Sequence, residues 1–266
     1  MILCIGTTPA AQRVMAFRKL TIDAVNRAVT TLDDVAGKSV NVAKVLKALG
    51  EQPVATGFLG GDRGEQLRDL LEARGIEQDF VKVAPRTRQC ITLLDTSAGT
   101  HTELVEESQP VAAADYEELM RVIRRRVKGC RAVVMSGTIT PGGPADLYFQ
   151  GTQMAHEAGA MPVADAQGAA LIEALRARPA LVKPNRPELA ATLGRELKDE
   201  TAVRSAMQEL CERGAQRVVV TAGKEPALAF DGRSWWRVTP PRVGAVNPIG
   251  SGDAFTAGLV WRLLRG

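Results

Sequence analysis

The sequence predicts a layered α/β protein carrying a small β appendage, and three features predict it. From Asp115 onward, apolar runs at 132–135, 161–164, 181–183 and 217–221 alternate with helical stretches of about 10 to 16 residues, the spacing of right-handed crossovers in a parallel sheet. Between Phe80 and Glu107 the period changes to short extended segments separated by Thr96-Ser97-Ala98-Gly99, the mark of a hairpin. Glycines such as Gly50 and Gly75 stand where helical periodicity stops.

The elements follow in order. Met1-Ile2-Leu3-Cys4-Ile5-Gly6 is apolar, lacks a basic start and is too short for a leader, so it reads as a first strand. Residues 13–31 supply extended segments for the small sheet. Residues 39–49 form a helix, because Val42, Val45, Leu46 and Leu49 recur at i, i+3, i+4 and i+7. Residues 54–59 form a strand, 60–64 a glycine turn, and 65–74 a second amphipathic helix. Segments 90–94 and 102–105 make the hairpin. No repeat or low-complexity linker interrupts the chain, so the appendage, spanning about 11–33 and 80–108, is expected as insertions into one domain over residues 1–266.

Composition removes several classes. With 266 residues, 45% apolar and 24% charged, the chain can bury a sizeable core and is not a disordered sequence. A net charge of +4 spread over the chain does not make a nucleic-acid binder, but suits a small anionic ligand. Cys4, Cys90, Cys130 and Cys211 form no C-x-x-C pair, which fits reduced thiols in a cytoplasmic protein. No apolar run is long enough to cross a membrane as a helix. His101 and His156 have no partner spacing for a metal site or a triad. The cations Arg121, Arg124, Arg125, Arg126 and Lys128 lack interleaved aromatics and read as a solvated helix face.

The densest chemical signal is Asn247-Pro248-Ile249-Gly250-Ser251-Gly252-Asp253 before an apolar helix. Glycines at 250 and 252 permit a tight turn, and the amides opening the next helix make an anion site. Asp253 inside that site is placed to take a proton from a hydroxyl attacking a phosphoryl group, or is simply an acidic residue favourable to the helix dipole. A dinucleotide fingerprint fails because position 255 is Phe, and a Walker A loop at Gly37-Lys38-Ser39 fails because position 32 is Leu. Lys38 on a glycine loop is a phosphate contact or a solvated lysine. Lys183-Pro184-Asn185-Arg186-Pro187-Glu188 follows a strand at the sheet edge where ligands bind, and Asn185 with Glu188 equally fits a capping box. Thr221-Ala222-Gly223 follows another strand in the same way.

Taken in order, the glycine-lysine loop, K-P-N-x-x-E-L, T-x-G and N-P-x-G-S-G-D-A resemble the ribokinase-like PfkB carbohydrate kinases. Within them the chain is similar to the sugar-phosphate branch that contains 1-phosphofructokinase and tagatose-6-phosphate kinase. The resemblance rests on residues 36–43, Thr87-Arg88-Gln89, Ser136-Gly137-Thr138, 183–189 and 247–258. It implies a three-layer αβα domain with a mostly parallel central sheet and a β lid, and transfer of the ATP γ-phosphoryl group to a hydroxyl of a phosphorylated ketohexose.

By that resemblance Asp253 is the catalytic base, and Gly250, Ser251 and Gly252 form the anion hole. Lys183, Asn185 and Glu188 lie near the nucleotide phosphates, with Glu188 reaching Mg²⁺ through water, and Thr221 and Gly223 hold the nucleotide. Gln12, Gly37, Lys38, Asn41, Arg88 and Thr138 face the sugar phosphate. The resemblance also implies pairing of two copies through the lid, with no nucleic-acid or membrane partner. The family's N-P-x-x-D stands here as Thr8-Pro9-Ala10-Ala11-Gln12, G-G-K-G as Ala36-Gly37-Lys38-Ser39, S-G-S-L-P-x-G as Ser136-Gly137-Thr138-Ile139-Thr140-Pro141-Gly142, and the second glycine of T-x-G-x-x-G is Pro226. Most departures fall on the acceptor side, so another small sugar or a nucleoside is the alternative acceptor, and a non-catalytic sensor the alternative role. The family's C-terminal helices are expected to be absent after residue 266.

Overall fold

The computed structural model describes residues 1–241, 243 and 249–266. Asn247 and Pro248 of the last motif lie outside the described residues. The chain opens with β1 (Ile2–Gly6), β2 (Ala10–Phe17), β3 (Thr30–Ala36), α1 (Lys38–Ala48), β4 (Pro53–Leu59) and α2 (Gly61–Ala73). Short strands β5 (Glu77–Gln78) and β6 (Val81–Lys82) lead to the hairpin β7 (Arg88–Asp95) and β8 (Thr100–Val105). Then come α3 (Ala113–Arg126), β9 (Ala132–Ser136), α4 (Leu147–Glu157), β10 (Met161–Asp165), α5 (Gly168–Leu175), β11 (Leu181–Val182), α6 (Arg186–Leu193) and α7 (Glu200–Glu212). The chain closes with β12 (Val218–Ala222), β13 (Glu225–Phe230), β14 (Trp235–Val238) and α8 (Ser251–Leu263).

The large sheet runs β14-β13-β12-β11-β10-β9-β1-β4-β5, with β6 also paired to β4. It is parallel from β12 to β5 and antiparallel only at the β12-β13-β14 edge. Its strands are apolar on both faces, as a sheet covered by two helical layers requires. Leu3, Ile5, Val133, Met135 and Val182 pack on the layer of α3, α4, α5, α6 and α7. Ile2, Cys4, Val134, Val163 and Leu181 pack on α1, α2 and α8. This is the expected three-layer arrangement.

The small sheet has the order β3-β2-β7-β8. The hairpin of β7 and β8 is antiparallel as expected, and β2 joins it in parallel register with Gln12 opposite Cys90. Of the segment expected at 80–108, Phe80 is buried in the main core and Val81–Lys82 pair with β4, while the small sheet starts at Arg88. The glycine turn expected at 60–64 is different: helix α2 already begins at Gly61. The glycines there serve close approach, since a Cβ at Gly60 would meet Pro85 O at 2.0 Å. Among the described residues no helix is long and apolar enough to cross a membrane.

Both histidines are exposed, as expected, and His156 Nε2 meets the carbonyls of Ala177 and Arg178. The arginine face of α3 is partly knitted, with Arg125 and Arg126 on Asp79 and Arg121 on Glu118.

Candidate active site

Parallel strands end on the same sheet edge, so their last residues form a row. On the face covered by α1 and α8, that row is Gly6 of β1, Ser136 of β9, Asp165 of β10, Lys183 just after β11 and Thr221 of β12, with Ser136 directly opposite Asp165. The N-termini of α1, α6 and α8 stand over it. Such an edge, at the carboxyl ends of the strands, is where open α/β sheets bind ligands.

Helix α8 starts from Gly250, whose φ of 82° is the left-handed conformation that glycine adopts without strain. Among the described residues no side chain caps it, so its first amides are available as donors. A Cβ at Gly252 would lie 3.9 Å from Lys183 Nζ, which places a lysine beneath those amides. The combination suits a phosphate group.

Asp253 occupies the first turn of α8 but does not cap it. Its Oδ2 accepts a hydrogen bond from Asn41 Nδ2 at 2.8 Å. Burial pushes its carboxyl up to about 6; Asn41 pulls the other way, the nearby Asp165 adds to the rise, and Lys38 and Lys183 oppose it. A carboxylate tuned toward neutrality in a buried site is a candidate general base.

Asp165 is the centre of the arrangement, and sequence reasoning missed it. It is fully buried, Oδ2 accepting from Thr256 Oγ1 at 2.6 Å and pairing with Lys183 Nζ at 3.2 Å, while Oδ1 takes Lys38 Nζ at 3.2 Å. The available signal was a single acid ending the apolar run 161–164, since a carboxylate at a strand's carboxyl end is either paired or functional.

Lys38, the first residue of α1, also meets Glu188 Oε1 at 2.7 Å. Burial works against its ammonium, but Asp165 and Glu188 hold its pKa above the usual lysine range. Lys38 is therefore a half-buried, ion-paired lysine whose ammonium is turned to the nucleotide-side residues. Asn185 and Glu188 form a complete capping box at α6: Asn185 Oδ1 accepts from Glu188 N at 2.8 Å and Glu188 Oε2 from Asn185 N at 2.9 Å. The capping role and the place at the sheet edge hold together, because Glu188 caps with one oxygen and binds Lys38 with the other. Thr221 bridges to Asn185 in parallel fashion, and Gly223 turns the β12-β13 hairpin at φ 62°.

On the opposite side, Arg88 Nε and Nη2 both donate to Thr8 O, at 3.1 and 3.0 Å. Thr7 Oγ1 donates to Thr138 O at 2.9 Å. Gly37 has φ 109°, and a Cβ there would sit 2.8 Å from Pro9 Cα. Gln12 stands apart from this group; its Nε2 donates to Thr92 Oγ1 at 2.8 Å within the small sheet. The structure thus joins Asp253, Asn41, Lys38, Lys183, Glu188 and Asp165, sets Arg88, Thr8 and Thr138 beside them, and leaves Gln12 on the sheet above.

Among the described residues no three acidic, histidine or cysteine side chains converge as a metal cage requires. Glu188, with Asp165 across Lys38 from it, suits a magnesium ion that brings phosphate and water ligands of its own.

The model of a family described as pfkB family carbohydrate kinase matches residues 1–266. Phosphofructokinase-2 from Escherichia coli in complex with fructose-6-phosphate is 27% identical, with a TM-score of 0.89 over 100% of this chain and 87% of that chain. Its tetrameric inhibited form is 27% identical, with a TM-score of 0.90 over 99% and 87%. A protein of Thermotoga maritima described as a possible 1-phosphofructokinase is 26% identical, with a TM-score of 0.90 over 99% and 85%.

Proposed function

We propose, from the premise that the chain belongs to the pfkB family of carbohydrate kinases, that it transfers the γ-phosphoryl group of ATP to a hydroxyl of a phosphorylated ketohexose, fructose 1-phosphate or tagatose 6-phosphate. The observation that carries the reading is Asp253, buried and bonded to Asn41 at the glycine start of α8, with Lys183 below that turn.

In this reading Asp253 takes the proton of the attacking hydroxyl, and its elevated pKa makes it a better base than an exposed carboxylate. The amides from Gly250 to Gly252, Ser251 included, stabilise the transferring phosphoryl group, with Lys183 adding positive charge. Asn41 orients the base. Asn185, Glu188, Thr221 and Gly223 hold the nucleotide side, and Asp165 positions Lys183 and Lys38. Gly37, Lys38, Arg88 and Thr138 form the acceptor side, where cations match a phosphate, and Gln12 would join it only from the lid sheet. Magnesium held near Glu188 through water supplies charge neutralisation on the nucleotide phosphates when bound.

The acceptor is tested by ADP release with MgATP against fructose 1-phosphate, tagatose 6-phosphate, fructose 6-phosphate, ribose and adenosine. Turnover confined to one of the first two bears the proposal out. Turnover only with ribose or adenosine replaces the acceptor, an outcome that the neutral Gln12, already bonded to Thr92, would account for. Nucleotide binding without turnover on any acceptor turns the protein into a sensor.

We also read the small sheet as a lid through which two copies pair. Leu32, Leu104 and Val105 expose large apolar side chains on its outer strands. Sedimentation of the wild type against Leu104→Lys tests this, and a monomeric wild type would remove it.

A further inference from the structure

The geometry points to Lys38 as the residue that couples the two substrates: its ammonium is held by Glu188 and Asp165, and it becomes available to an acceptor phosphate when a divalent cation draws on Glu188. This rests on the phosphorylated-acceptor reading above.

The stem and tip of Lys38 belong to different halves of the site. Its Cβ would lie 3.7 Å from a Cβ on Gly137, the same point that lies 3.7 Å from Thr8 Oγ1. Thr8 supplies the carbonyl that holds Arg88, so the stem is planted on the acceptor side. The ammonium meets Glu188 and Asp165, on the nucleotide side.

Both carboxylates are anchored, and the lysine is the part that can move. Glu188 is pinned by the capping box through its other oxygen. Asp165 is fully buried and tied to Thr256 and Lys183. The Lys38 side chain is 32% exposed and carries four rotatable bonds. Lys38 and Lys183 together face Asp165, Glu188 and Asp253 here. A divalent cation held near Glu188 through water would add like charge beside the ammonium and draw on the same carboxylate, which would favour the conformers of Lys38 turned toward Thr8. Linkage then requires that each substrate tighten the other's binding by the same factor.

The test is calorimetric binding of fructose 1-phosphate, tagatose 6-phosphate and fructose 6-phosphate, each without nucleotide or metal and then with MgADP. The proteins are the wild type, Glu188→Gln, Lys38→Met and the double variant. Gln at position 188 keeps the capping box, and thermal melts verify folding of each. The expected result is that Glu188→Gln binds the phosphosugar about tenfold tighter than wild type without MgADP, and that MgADP adds little more. Lys38→Met binds it weakly under both conditions, and the gain from Glu188→Gln disappears in the double variant. A gain that persists without Lys38 assigns the effect to the carboxylate's field alone and overturns the inference, as does the lack of any gain when the wild type binds a phosphosugar with MgADP. If no phosphosugar binds any of the four proteins, even with MgADP, the acceptor reading falls and the coupling falls with it.

Discussion

Asn41 Nδ2 donates to Asp253 Oδ2 at 2.8 Å, joining the first turn of α1 to the first turn of α8 across 212 positions of sequence. The bond orients the carboxylate and lowers its pKa against the effect of burial, which still leaves it raised to about 6. One contact thus sets both the direction and the basicity of the proposed base.

Asp253→Asn removes the proton acceptor without changing the side chain's shape. Turnover should fall by at least about 10²–10⁴-fold, while nucleotide binding measured by calorimetry is retained. In the wild type, log(kcat/KM) should bend downward below pH about 6, where Asp253 is protonated, and the variant's residual rate should lack that bend. Stability moves the opposite way. A carboxyl whose folded pKa is raised from 3.8 contributes stability at low pH that is lost as pH rises through about 6, so the variant should melt higher than wild type at pH 7.5.

Asn41→Ala deletes the hydrogen bond that opposes burial. The acidic limb of the rate profile should then shift upward from about 6 toward neutrality, with a lower plateau from the misoriented base. An unshifted limb would show that Asn41 does not set the titration of the base.

Asp165→Asn tests the hub. Among the described residues Asp165 is the one carboxylate within ion-pair distance of Lys183, whose side chain is 3% exposed. Removing that charge leaves a buried ammonium unpaired, a loss of about 3–5 kcal/mol by urea denaturation. Asp165→Glu should not restore it, because a longer acid does not fit the row between Thr256 and Lys38.

Arg63 of α2 clasps the small sheet, its guanidinium bonding Glu106 at 2.6 Å, Gln89 at 2.8 Å and the Thr87 carbonyl at 3.3 Å. Arg63→Ala should cost about 1 kcal/mol globally, since Glu106 is half exposed. Hydrogen exchange in β7 and β8 should accelerate beyond that in β1 and β9, and uniform acceleration would mean that the clasp is not local.

Much of the architecture is written in short windows of sequence. The 3.6-residue period of 39–49 makes α1, the apolar runs make the buried parallel strands, and Asn185 with Glu188 specifies a capping box from four consecutive residues. The glycines near α2 misled, because a glycine needed for close packing and a glycine that breaks a helix look alike in sequence.

Local patterns determined which elements form and which residues arrive at the strand ends, because periodicity and capping act over a few positions. Only the stacking of strands and helices decided that Lys38 meets Asp165 and Glu188, 127 and 150 positions away, and that Asp253 is buried against Asn41. Charge partnership and the raised basicity of Asp253 depend on burial and on neighbours distant in sequence, and those exist only once the sheet and the layer of α1 and α8 have closed on each other.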